Sequence, residues 1–312
     1  MKQEALVTVF TPAYNRANTI HRVYDSLKAQ TYKNFEWVII DDGSTDNTKS
    51  VVEKFMAEDN FFDIRYYYQE NGGKHIATNS GVQKAKGEFF ITFDSDDGCK
   101  SNAIERFLEV WDTIPEAERD NYKGVTGRSC DPDMPSKIFG TKLPEPVLDS
   151  DDDELRIRYK VKGELWGIAR TKVLLENPYP AIEGVRVYPI GAYWGKIGRK
   201  YKTRFFDEAL RYYYADDTQT TNQITKNKRP KELYLKRTYM LSGFVVSKYF
   251  KYNPWYFYKH AIGLVRDGSL NGKSLKDMIN DSETSKVGVI LILLALIPGK
   301  LLKIRYERMQ KK

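Results

Sequence analysis

The feature that most constrains the fold is a pair of acidic clusters, each directly after an apolar run. Residues 35–40 (FEWVII) precede the cluster at 41–46 (DDGSTD), and residues 89–93 (FFITF) precede the cluster at 94–97 (DSDD). In an open parallel sheet, ligands bind in the crevice beyond the carboxyl ends of the strands, so we expect both clusters to face one site. Carboxylates gathered there suit a hard divalent cation that carries a phosphorylated ligand.

The first hundred residues alternate apolar runs with segments of helical period, which predicts a mainly parallel α/β sheet flanked by helices. We expect strands at 6–10, 35–41, 64–68 and 89–93. A helix is expected over 74–86, and the other helices are expected to be capped by Asn18, by Thr45 or Asp46, and by Ser101.

The pattern changes after residue 120. Residues 120–154 contain four prolines and an acidic run, which predicts an irregular connection. A strand near 165–169, helices near 171 and over 193–201, and a strand at 202–214 are expected to follow. Residues 236–312 are predicted to be helical and separate.

Composition and charge narrow the class of protein. The hydrophobic fraction of 41% is typical of a folded chain, and the two cysteines are too few for a disulfide framework, which favours a reducing cytoplasm. No export signal is evident at the N-terminus. The formal charge is about +10 over residues 236–312 and about −2 over the rest. A near-neutral body with a basic, aromatic-rich tail favours an anionic membrane surface as partner, and no nucleic acid.

The tail contains eleven apolar positions at 287–297, closed by Pro298. A membrane-spanning helix needs about 20 such residues, so this run is too short to cross a bilayer alone. We expect it to lie in the membrane interface, with nearby basic side chains toward anionic headgroups: Lys300, Lys303, Arg305, Arg308, Lys311 and Lys312. The alternative is a buried helix of the globular body.

Two loops are candidates for contact with a nucleotide. Residues 11–16 (TPAYNR) follow the first strand, where Tyr14 can cover a flat base and Arg16 offers a planar cation to phosphate, although an ordinary turn uses the same residue types. In the loop at 41–46, Gly43 permits a tight turn and a carboxylate can accept hydrogen bonds from a base or ribose. Turn and cap roles are the alternative there, but they explain two adjacent carboxylates poorly.

The cluster at 94–97 is the candidate metal site. Its one-residue spacing would place two carboxylates on the same side of an extended chain. Three carboxylates in four positions repel each other unless a cation lies among them, and Mg²⁺ or Mn²⁺ with substrate phosphates would relieve this repulsion. The acidic run at 149–154 is similar in composition but follows prolines, so we expect a solvated loop there.

Taken in order, these segments resemble the family 2 glycosyltransferases of the GT-A fold. The resemblance rests on residues 11–16, 41–46, 71–74 (NGGK), 79–81 (NSG), 87–88 (GE) and 94–97. It is strong over 5–100 and looser to about 225. It implies a nucleotide-sugar-binding half at 1–100 and an acceptor-side half at 101–235. Residues 236–312 lie outside the resemblance, and their charge and aromatic content are what predict a helical tail on the membrane surface.

The resemblance implies transfer of a sugar from a nucleotide-diphosphate sugar, with a UDP-sugar favoured, to a glycan or lipid-linked acceptor with inversion. The nucleotide-sugar contacts it implies are Thr11, Pro12, Tyr14, Arg16, Asp42, Lys74, Asp94 and Asp96, with Asp42 on the base. Asp94 and Asp96 would bind the metal, with Asp97 close by. The implied setting is cell-surface polysaccharide synthesis on the inner face of the cytoplasmic membrane.

Two departures from the family pattern concern the diphosphate and the base. Many members have an Arg where this chain has Thr78, so the diphosphate contact is expected to pass to Lys74 or His75. The family usually supplies an acidic residue near positions 190 and 191, which are Ile and Gly here. An inverting transfer needs a base for the acceptor hydroxyl, and Glu183 is the available candidate. Its alternative is a structural Glu on a loop.

Two other functions remain open from the sequence. A related sheet and carboxylate site can serve nucleotidyl transfer, which releases pyrophosphate instead of a nucleoside diphosphate. The missing acid at 190 and 191 is compatible with a nucleotide-sugar-binding protein that lacks turnover.

Overall fold

The computed structural model describes residues 6–214 and 229–310. Within these residues, one sheet contains nine strands: β1 (Val7–Ala13), β2 (Phe35–Asp42), β3 (Asp63–Gln69), β4 (Phe89–Thr92), β5 (Gly98–Cys99), β6 (Tyr122–Cys130), β7 (Val147–Ser150), β8 (Leu165–Arg170) and β9 (Lys202–Tyr212). The helices before residue 200 are α1 (His21–Lys28), α2 (Thr48–Ala57), α3 (Lys74–Lys84), α4 (Ala103–Asp112), α5 (Asp152–Ile157), α6 (Thr171–Glu176) and α7 (Ile190–Gly198). Those after it are α8 (Pro230–Met240), α9 (Gly243–Tyr249), α10 (Pro254–Leu270), α11 (Leu275–Asp281), α12 (Lys286–Leu294) and α13 (Leu296–Gln310).

The strand order is β3-β2-β1-β4-β8-β6-β9-β5, and β7 also pairs with β9. The first four strands of this order are parallel, as the sequence predicts. β8 then pairs antiparallel with both β4 and β6, whereas β6 and β9 are parallel, so the rest of the sheet is mixed. The carboxyl ends of β1, β2 and β4 therefore meet at one edge of the parallel part.

Contacts divide the chain into two compact units. The first holds the described residues within 1–151, 161–186 and 200–222, and it contains the whole sheet. The second holds those within 152–160, 187–199 and 223–312, which are helical. The second unit thus combines the tail with two short segments from the middle of the chain, whereas our functional division at 100 and 235 is by sequence order and stays a prediction.

The first unit buries a large aromatic and aliphatic core between the sheet and the helices α1, α2 and α4. Trp37, Phe93 and Phe107 in this core are fully buried. On α3, Gly81 faces β1 so closely that a Cβ there would lie 2.4 Å from the ring of Phe10. The lack of a side chain at Gly81 therefore allows α3 to approach the sheet.

Three of the expected helix caps differ in the structure. α1 is preceded by Ile20 instead of Asn18, and α4 by Asn102 instead of Ser101. Before α2 the cap position is Asn47, but the Asp46 carboxylate accepts the Thr48 amide at 3.0 Å, so Asp46 does bind the helix start as expected. Each difference is within two residues, which is the usual uncertainty of a helix end.

The prediction of an irregular connection over 120–154 is wrong. This stretch contains β6, which lies inside the sheet between β8 and β9, and the edge strand β7. The acidic run at 149–154 is not a solvated loop either. Asp149 accepts two hydrogen bonds from the Arg204 guanidinium, at 2.8 and 2.7 Å, and Asp153 is buried against the Tyr239 hydroxyl. The prolines precede β7 instead of interrupting it, so the rule against proline in central strands does not apply.

The second unit is built around α10, which packs against α8, α12 and α13. The apolar run at 287–297 is divided between two environments. Leu291, Ile292 and Ala295 are buried, whereas Ile290, Leu293, Leu294 and Ile297 are exposed. Among the described residues no single helix is long and apolar enough to span a membrane; α12 and α13, bent by 52° at their junction, meet that test of length and composition only as a pair.

His260 on α10 makes the second unit sensitive to acid. It is buried, its Nδ1 lies 3.0 Å from the Arg237 guanidinium, and burial together with the Arg237 charge holds the pKa of His260 well below its ordinary value. The pKa of this His is lower in the folded protein than in the unfolded chain. Above the unfolded-state pKa the residue has no effect on stability. Below it only the unfolded chain takes up the proton, so the folded protein loses stability as pH falls.

We therefore expect the free energy of unfolding to fall below about pH 6.5, by up to about 1.4 kcal/mol per pH unit from this residue. Denaturant unfolding of the wild type and of His260→Gln at pH 7.5 and pH 5.5 measures this, and the variant should lose less stability across the interval. An equal loss in both proteins would contradict the assignment.

Candidate functional site

The loops after β1 and β2 are joined by backbone and side-chain hydrogen bonds. The Asn15 amide donates to Ser44 Oγ at 2.9 Å, and the Thr45 amide donates to Asn15 Oδ1 at 2.8 Å. Asn15 has a φ of 54°, a left-handed conformation that Asn tolerates better than most residues. The Arg16 amide donates to Thr48 Oγ1 at 2.8 Å. The two loops therefore form one connected rim at the carboxyl edge of the sheet.

Arg16 extends this rim to the loop after β4. Its Nε donates to Ser95 Oγ at 3.1 Å, and one terminal nitrogen donates to the carbonyls of Tyr14 and Asn15, both at 3.1 Å. Tyr14 is 39% exposed, so its ring is available to a ligand. Pro12 is half-buried beside it, whereas Thr11 is fully buried and its hydroxyl accepts a hydrogen bond from the Trp37 indole at 3.0 Å.

The two adjacent carboxylates at the end of β2 have separate local tasks. Asp41 accepts the Ser44 amide at 2.7 Å and the Tyr66 hydroxyl at 2.6 Å. Both carboxylates are buried. We expected turn and cap roles to explain two adjacent carboxylates poorly, but each of them accepts at least two local hydrogen bonds.

Asp42 holds the turn that leads into α3. Its carboxylate accepts the amides of Gly72 and Gly73, at 2.9 and 2.8 Å, and the Gln69 side-chain amide at 2.7 Å. The start of α3 is thereby fixed next to the end of β2.

The acidic cluster after β4 is a turn, not an extended segment. The Asp97 amide donates to the Asp94 carbonyl at 3.2 Å, so the strand-period argument for its geometry is wrong. Lys74, at the first position of α3, forms an ion pair with Asp94. The Arg22 guanidinium on α1 donates to the Asp96 carbonyl at 2.9 Å and lies over the Tyr214 ring at 4.1 Å from its centre.

Arg211 on β9 supplies the second cation of the cluster. Its side chain is only 5% exposed, and a terminal nitrogen lies 3.7 Å from Asp94 Oδ2 and 3.4 Å from Asp97 Oδ2. The other terminal nitrogen donates to Glu164 at 3.2 Å, and Nε donates to Ser129 Oγ at 3.0 Å. A buried charge of this kind is stable only because its partners are also fixed in place.

The electrostatics of the three carboxylates differ. Burial opposes ionisation of Asp94, but the charges of Lys74 and Arg211 hold its pKa below the ordinary value. Burial, and then the charge of Asp94, raises the pKa of Asp96. Burial raises the pKa of Asp97 to about 7, although Arg211 opposes the effect. Neighbouring cations thus stabilise the negative charge of Asp94 fully, but stabilise the charges of Asp96 and Asp97 only in part.

These three carboxylates fit a divalent cation that takes some of its ligands from a bound molecule. Among the described residues, no group of three or more His, Cys, Asp or Glu side chains is arranged to hold a metal by itself. The buried Oδ2 of Asp97 accepts no hydrogen bond, and the charge of Asp96 is under-compensated. Mg²⁺ and Mn²⁺ are commonly held by one or two carboxylates plus substrate phosphates, which is what this set can offer.

The structure brings together most of the residues that the sequence singles out, namely Arg16, Asp94, Asp96, Asp97 and Lys74, with Asp42 at the base of α3. Glu183 lies on a different loop, exposed in a turn that the Val185 amide closes on the Ile182 carbonyl at 3.0 Å. Gly184 has a φ of 72°, as the third position of such a turn requires.

Sequence reasoning missed Arg211, Arg22 and Ser95. The signal for Arg211 was present, because it is a charged residue that directly follows the buried apolar pair Ala209 and Leu210 on a strand. Such a residue needs a buried partner of opposite charge.

Comparisons with known proteins match the part of the chain that contains these loops. Residues 8–129 match the family model described as Glycosyl transferase family 2. Glycosyltransferase GlyG of Streptococcus pneumoniae serotype 4 is 42% identical over 105 residues, which are 33% of this chain and 34% of that protein. The Bacillus subtilis protein described as putative teichuronic acid biosynthesis glycosyltransferase TuaG is 34% identical over 104 residues, 33% of this chain and 41% of that protein. The chain therefore spans well under half the length of these relatives.

Solved structures share the fold over nearly the whole chain. S. aureus TarS residues 1–349 with UDP-GlcNAc gives a TM-score of 0.62 at 17% identity, over 97% of this chain and 91% of that one. The mannosyltransferase PcManGT of Pyrobaculum calidifontis, with GDP-Man and Mn²⁺, gives 0.55 at 16% identity, over 97% and 88%. Residues 8–129 are thus similar to the family 2 glycosyltransferases, and nearly the whole chain shares its fold with these two solved proteins.

Proposed function

We propose that the chain transfers a sugar, with inversion, from a UDP-linked donor to a hydroxyl of a glycan or lipid-linked acceptor in cell-surface polysaccharide synthesis. The observation that carries this proposal is the cluster of Asp94, Asp96 and Asp97. It is joined to the loop after β1 through Arg16 and Ser95, and Lys74 and Arg211 form ion pairs with it. Carboxylates and fixed cations at one edge suit a diphosphate that arrives with its own counterion. A relative named for teichuronic acid biosynthesis and a fold neighbour solved with UDP-GlcNAc favour the same class.

Asp94 and Asp96 would hold Mg²⁺ or Mn²⁺, with Asp97 adjacent, and the bound cation would stabilise the negative charge that develops on the departing diphosphate. Tyr14 and Pro12 border the space for the nucleotide. Arg16 is fixed by Ser95 and by loop carbonyls, so its guanidinium is oriented beside the carboxylates before any ligand arrives.

Lys74 is our candidate for the diphosphate contact that Arg makes in other members. Thr78 lies one turn further along α3, is buried, and donates its hydroxyl to the Lys74 carbonyl at 2.7 Å. It cannot present a cation. The Lys74 ammonium is in place beside Asp94, and its pKa is raised by the Asp94 charge although burial opposes this.

Glu183 is our candidate for the base that takes the proton from the acceptor hydroxyl. We expect Glu183→Gln to lower the rate of sugar transfer by about 10²- to 10⁴-fold, because general-base catalysis contributes about that much. The Kd for UDP should stay within about twofold of the wild type, since Glu183 is exposed on a different loop from the residues that we assign to the nucleotide and the metal. The exposed Glu145, replaced by Gln, is the matched control. Full transfer activity in Glu183→Gln would remove this residue from the mechanism.

We also propose that the exposed apolar face of α12 and α13 lies on an anionic membrane at its cytoplasmic side. Ile297, Leu301 and Ile304 recur at one-face helical spacing and are 75%, 62% and 45% exposed. Lys300, Lys303, Arg305 and Arg308 surround them, as expected for a helix in the membrane interface.

The double variant Ile297→Glu, Leu301→Glu should lose most of its binding to vesicles that contain phosphatidylglycerol. Both side chains are already exposed, so folding should be unaffected, and Met56→Glu, at a 47% exposed position on α2, is the matched control. Vesicle sedimentation measures the bound fraction. If the double variant binds as well as Met56→Glu does, the membrane proposal is wrong.

The experiment that tests the activity is a donor panel with UDP-glucose, UDP-galactose, UDP-GlcNAc and GDP-mannose in the presence of Mn²⁺. A glycosyltransferase releases a nucleoside diphosphate, and does so slowly by donor hydrolysis even without acceptor. Release of pyrophosphate from sugar phosphate and nucleoside triphosphate would instead favour nucleotidyl transfer. Tight donor binding without turnover across an acceptor panel would favour a binding protein.

A further inference from the structure

Helix α3 holds the loop at residues 179–186, which we name the acceptor-side loop, at both ends. Near one end, Asn79 and Tyr179 exchange two hydrogen bonds. The Asn79 side-chain nitrogen donates to the Tyr179 carbonyl, and the Tyr179 amide donates to Asn79 Oδ1, each at 2.8 Å. The Asn79 side chain thus pairs with the loop as a second strand would, using one donor and one acceptor.

The other end of the loop contacts the start of α3. His75 is buried, and its Nδ1 lies 3.2 Å from the Arg186 carbonyl oxygen. A carbonyl only accepts, so Nδ1 carries the proton in this contact. Gly73, with a φ of 89°, lies so close that a Cβ would be 2.1 Å from the same oxygen. Two consecutive turns of α3 therefore fix both ends of the loop that carries Glu183.

The same helix is tied to the donor side. The amides of Gly72 and Gly73 donate to Asp42, and Lys74 pairs with Asp94. On the next turn, Ser80 Oγ donates to Gln69 Oε1 at 2.7 Å, and the Gln69 amide donates to Asp42 Oδ1. One rigid element thus contacts the proposed nucleotide and metal residues at its start and the acceptor-side loop along its length.

We propose that His75 and Asn79 are positioning residues that set the acceptor-side loop from α3, so that occupation of the donor site orders the loop that carries Glu183. This inference rests on the proposed function and extends it to Asn79 and His75. The His75 ring is buried with Nδ1 on the Arg186 carbonyl, so we assign the diphosphate contact to Lys74 and not to His75. Asn79 and His75 both act through hydrogen bonds to loop backbone, and such bonds transmit a shift of α3 directly to the loop.

The test compares four variants. Asn79→Ala removes both bonds to Tyr179. His75→Leu removes the donor to Arg186, whereas His75→Asn keeps a side-chain N–H near the position of Nδ1. Gln83→Ala, at an exposed position on the same helix, is the control. Each is measured for UDP affinity with Mn²⁺, for donor hydrolysis without acceptor, for transfer to acceptor, and for hydrogen exchange of the 179–186 backbone with and without UDP.

We expect transfer to fall about 10- to 100-fold in Asn79→Ala and His75→Leu, because a misplaced reacting group costs about that much. UDP affinity and donor hydrolysis should stay within about twofold, and His75→Asn should recover most of the transfer rate. UDP should slow exchange of 179–186 in the wild type and in Gln83→Ala, but not in Asn79→Ala.

The inference is overturned if transfer in Asn79→Ala equals that in Gln83→Ala, or if UDP affinity and hydrolysis fall in step with transfer. If the wild type neither transfers nor hydrolyses any donor, the proposed function fails instead. The exchange measurement then still decides the inference, since it needs only UDP: protection of 179–186 that is independent of Asn79 would overturn it.

Discussion

Replacing Asp96 by Asn should lower sugar transfer by about 10²- to 10³-fold while leaving the protein as stable as the wild type or slightly more stable. Loss of a group that stabilises the charge of the departing diphosphate costs about this much. The fold should not suffer, because burial and the neighbouring Asp94 disfavour the Asp96 charge and raise its pKa. A neutral amide of the same shape removes that repulsion. Mn²⁺ should strengthen UDP binding in the wild type but much less in the variant.

The measurements are initial rates with the donor that the panel selects, UDP titrations with and without Mn²⁺, and thermal unfolding. Asp59→Asn is the matched control, since Asp59 is an exposed carboxylate after α2. A loss of activity with unchanged unfolding separates a site role from a structural one. An Asp96→Asn variant that transfers at the wild-type rate would contradict both the metal assignment and the leading function.

Replacing Asp42 by Asn should reduce both stability and UDP binding, whereas Asp41→Asn should reduce stability slightly and leave UDP binding in place. Asp42 accepts from Gly72 and Gln69 on one oxygen and from Gly73 on the other. An amide has one acceptor oxygen, so in either orientation its NH₂ faces at least one N–H donor. We expect a cost of about 2–3 kcal/mol in the free energy of unfolding, and a displaced start of α3.

Asp41 tolerates the same change because its second partner is the Tyr66 hydroxyl, which can rotate to accept from an amide. Urea unfolding and UDP titration of the two variants measure the difference. If both lose UDP binding equally, the turn at residues 72–73 is not what connects β2 to the nucleotide. If neither does, Asp42 has only a structural role.

The fold of the first hundred residues was predictable because local and global signals agree there. β1, β2 and β4 are buried apolar runs, α1 buries one apolar face, and each acidic cluster follows a strand end. β6 was missed because its sequence, YKGVTGRSC, lacks both an apolar run and clear alternation. Neighbouring backbones explain its glycines: a Cβ at Gly124 would lie 2.0 Å from the Ile168 carbonyl oxygen. A hydrophobicity pattern does not show where two strands approach each other closely.

The carboxylate cluster was predictable for the same reason. Of the two cations that pair with it, only Lys74 was predictable. Lys74 belongs to a motif near the cluster in the sequence. Arg211 lies more than a hundred positions after Asp97, and only the path of β9 through the sheet brings it within 3.4 Å of that carboxylate. The pairing of β9 with β6 depends on long-range register, which single-sequence patterns do not encode.

The distant origin of Arg211 also limits how this chain can be shortened. A fragment that ends near residue 100 contains every motif on which the family resemblance rests. It would nevertheless leave Asp97 without its guanidinium partner and would expose β4 as a new sheet edge where β8 now pairs. An apolar, unpaired edge strand next to uncompensated carboxylates favours association between copies. A shortened version of the protein for binding studies should therefore retain the chain through β9.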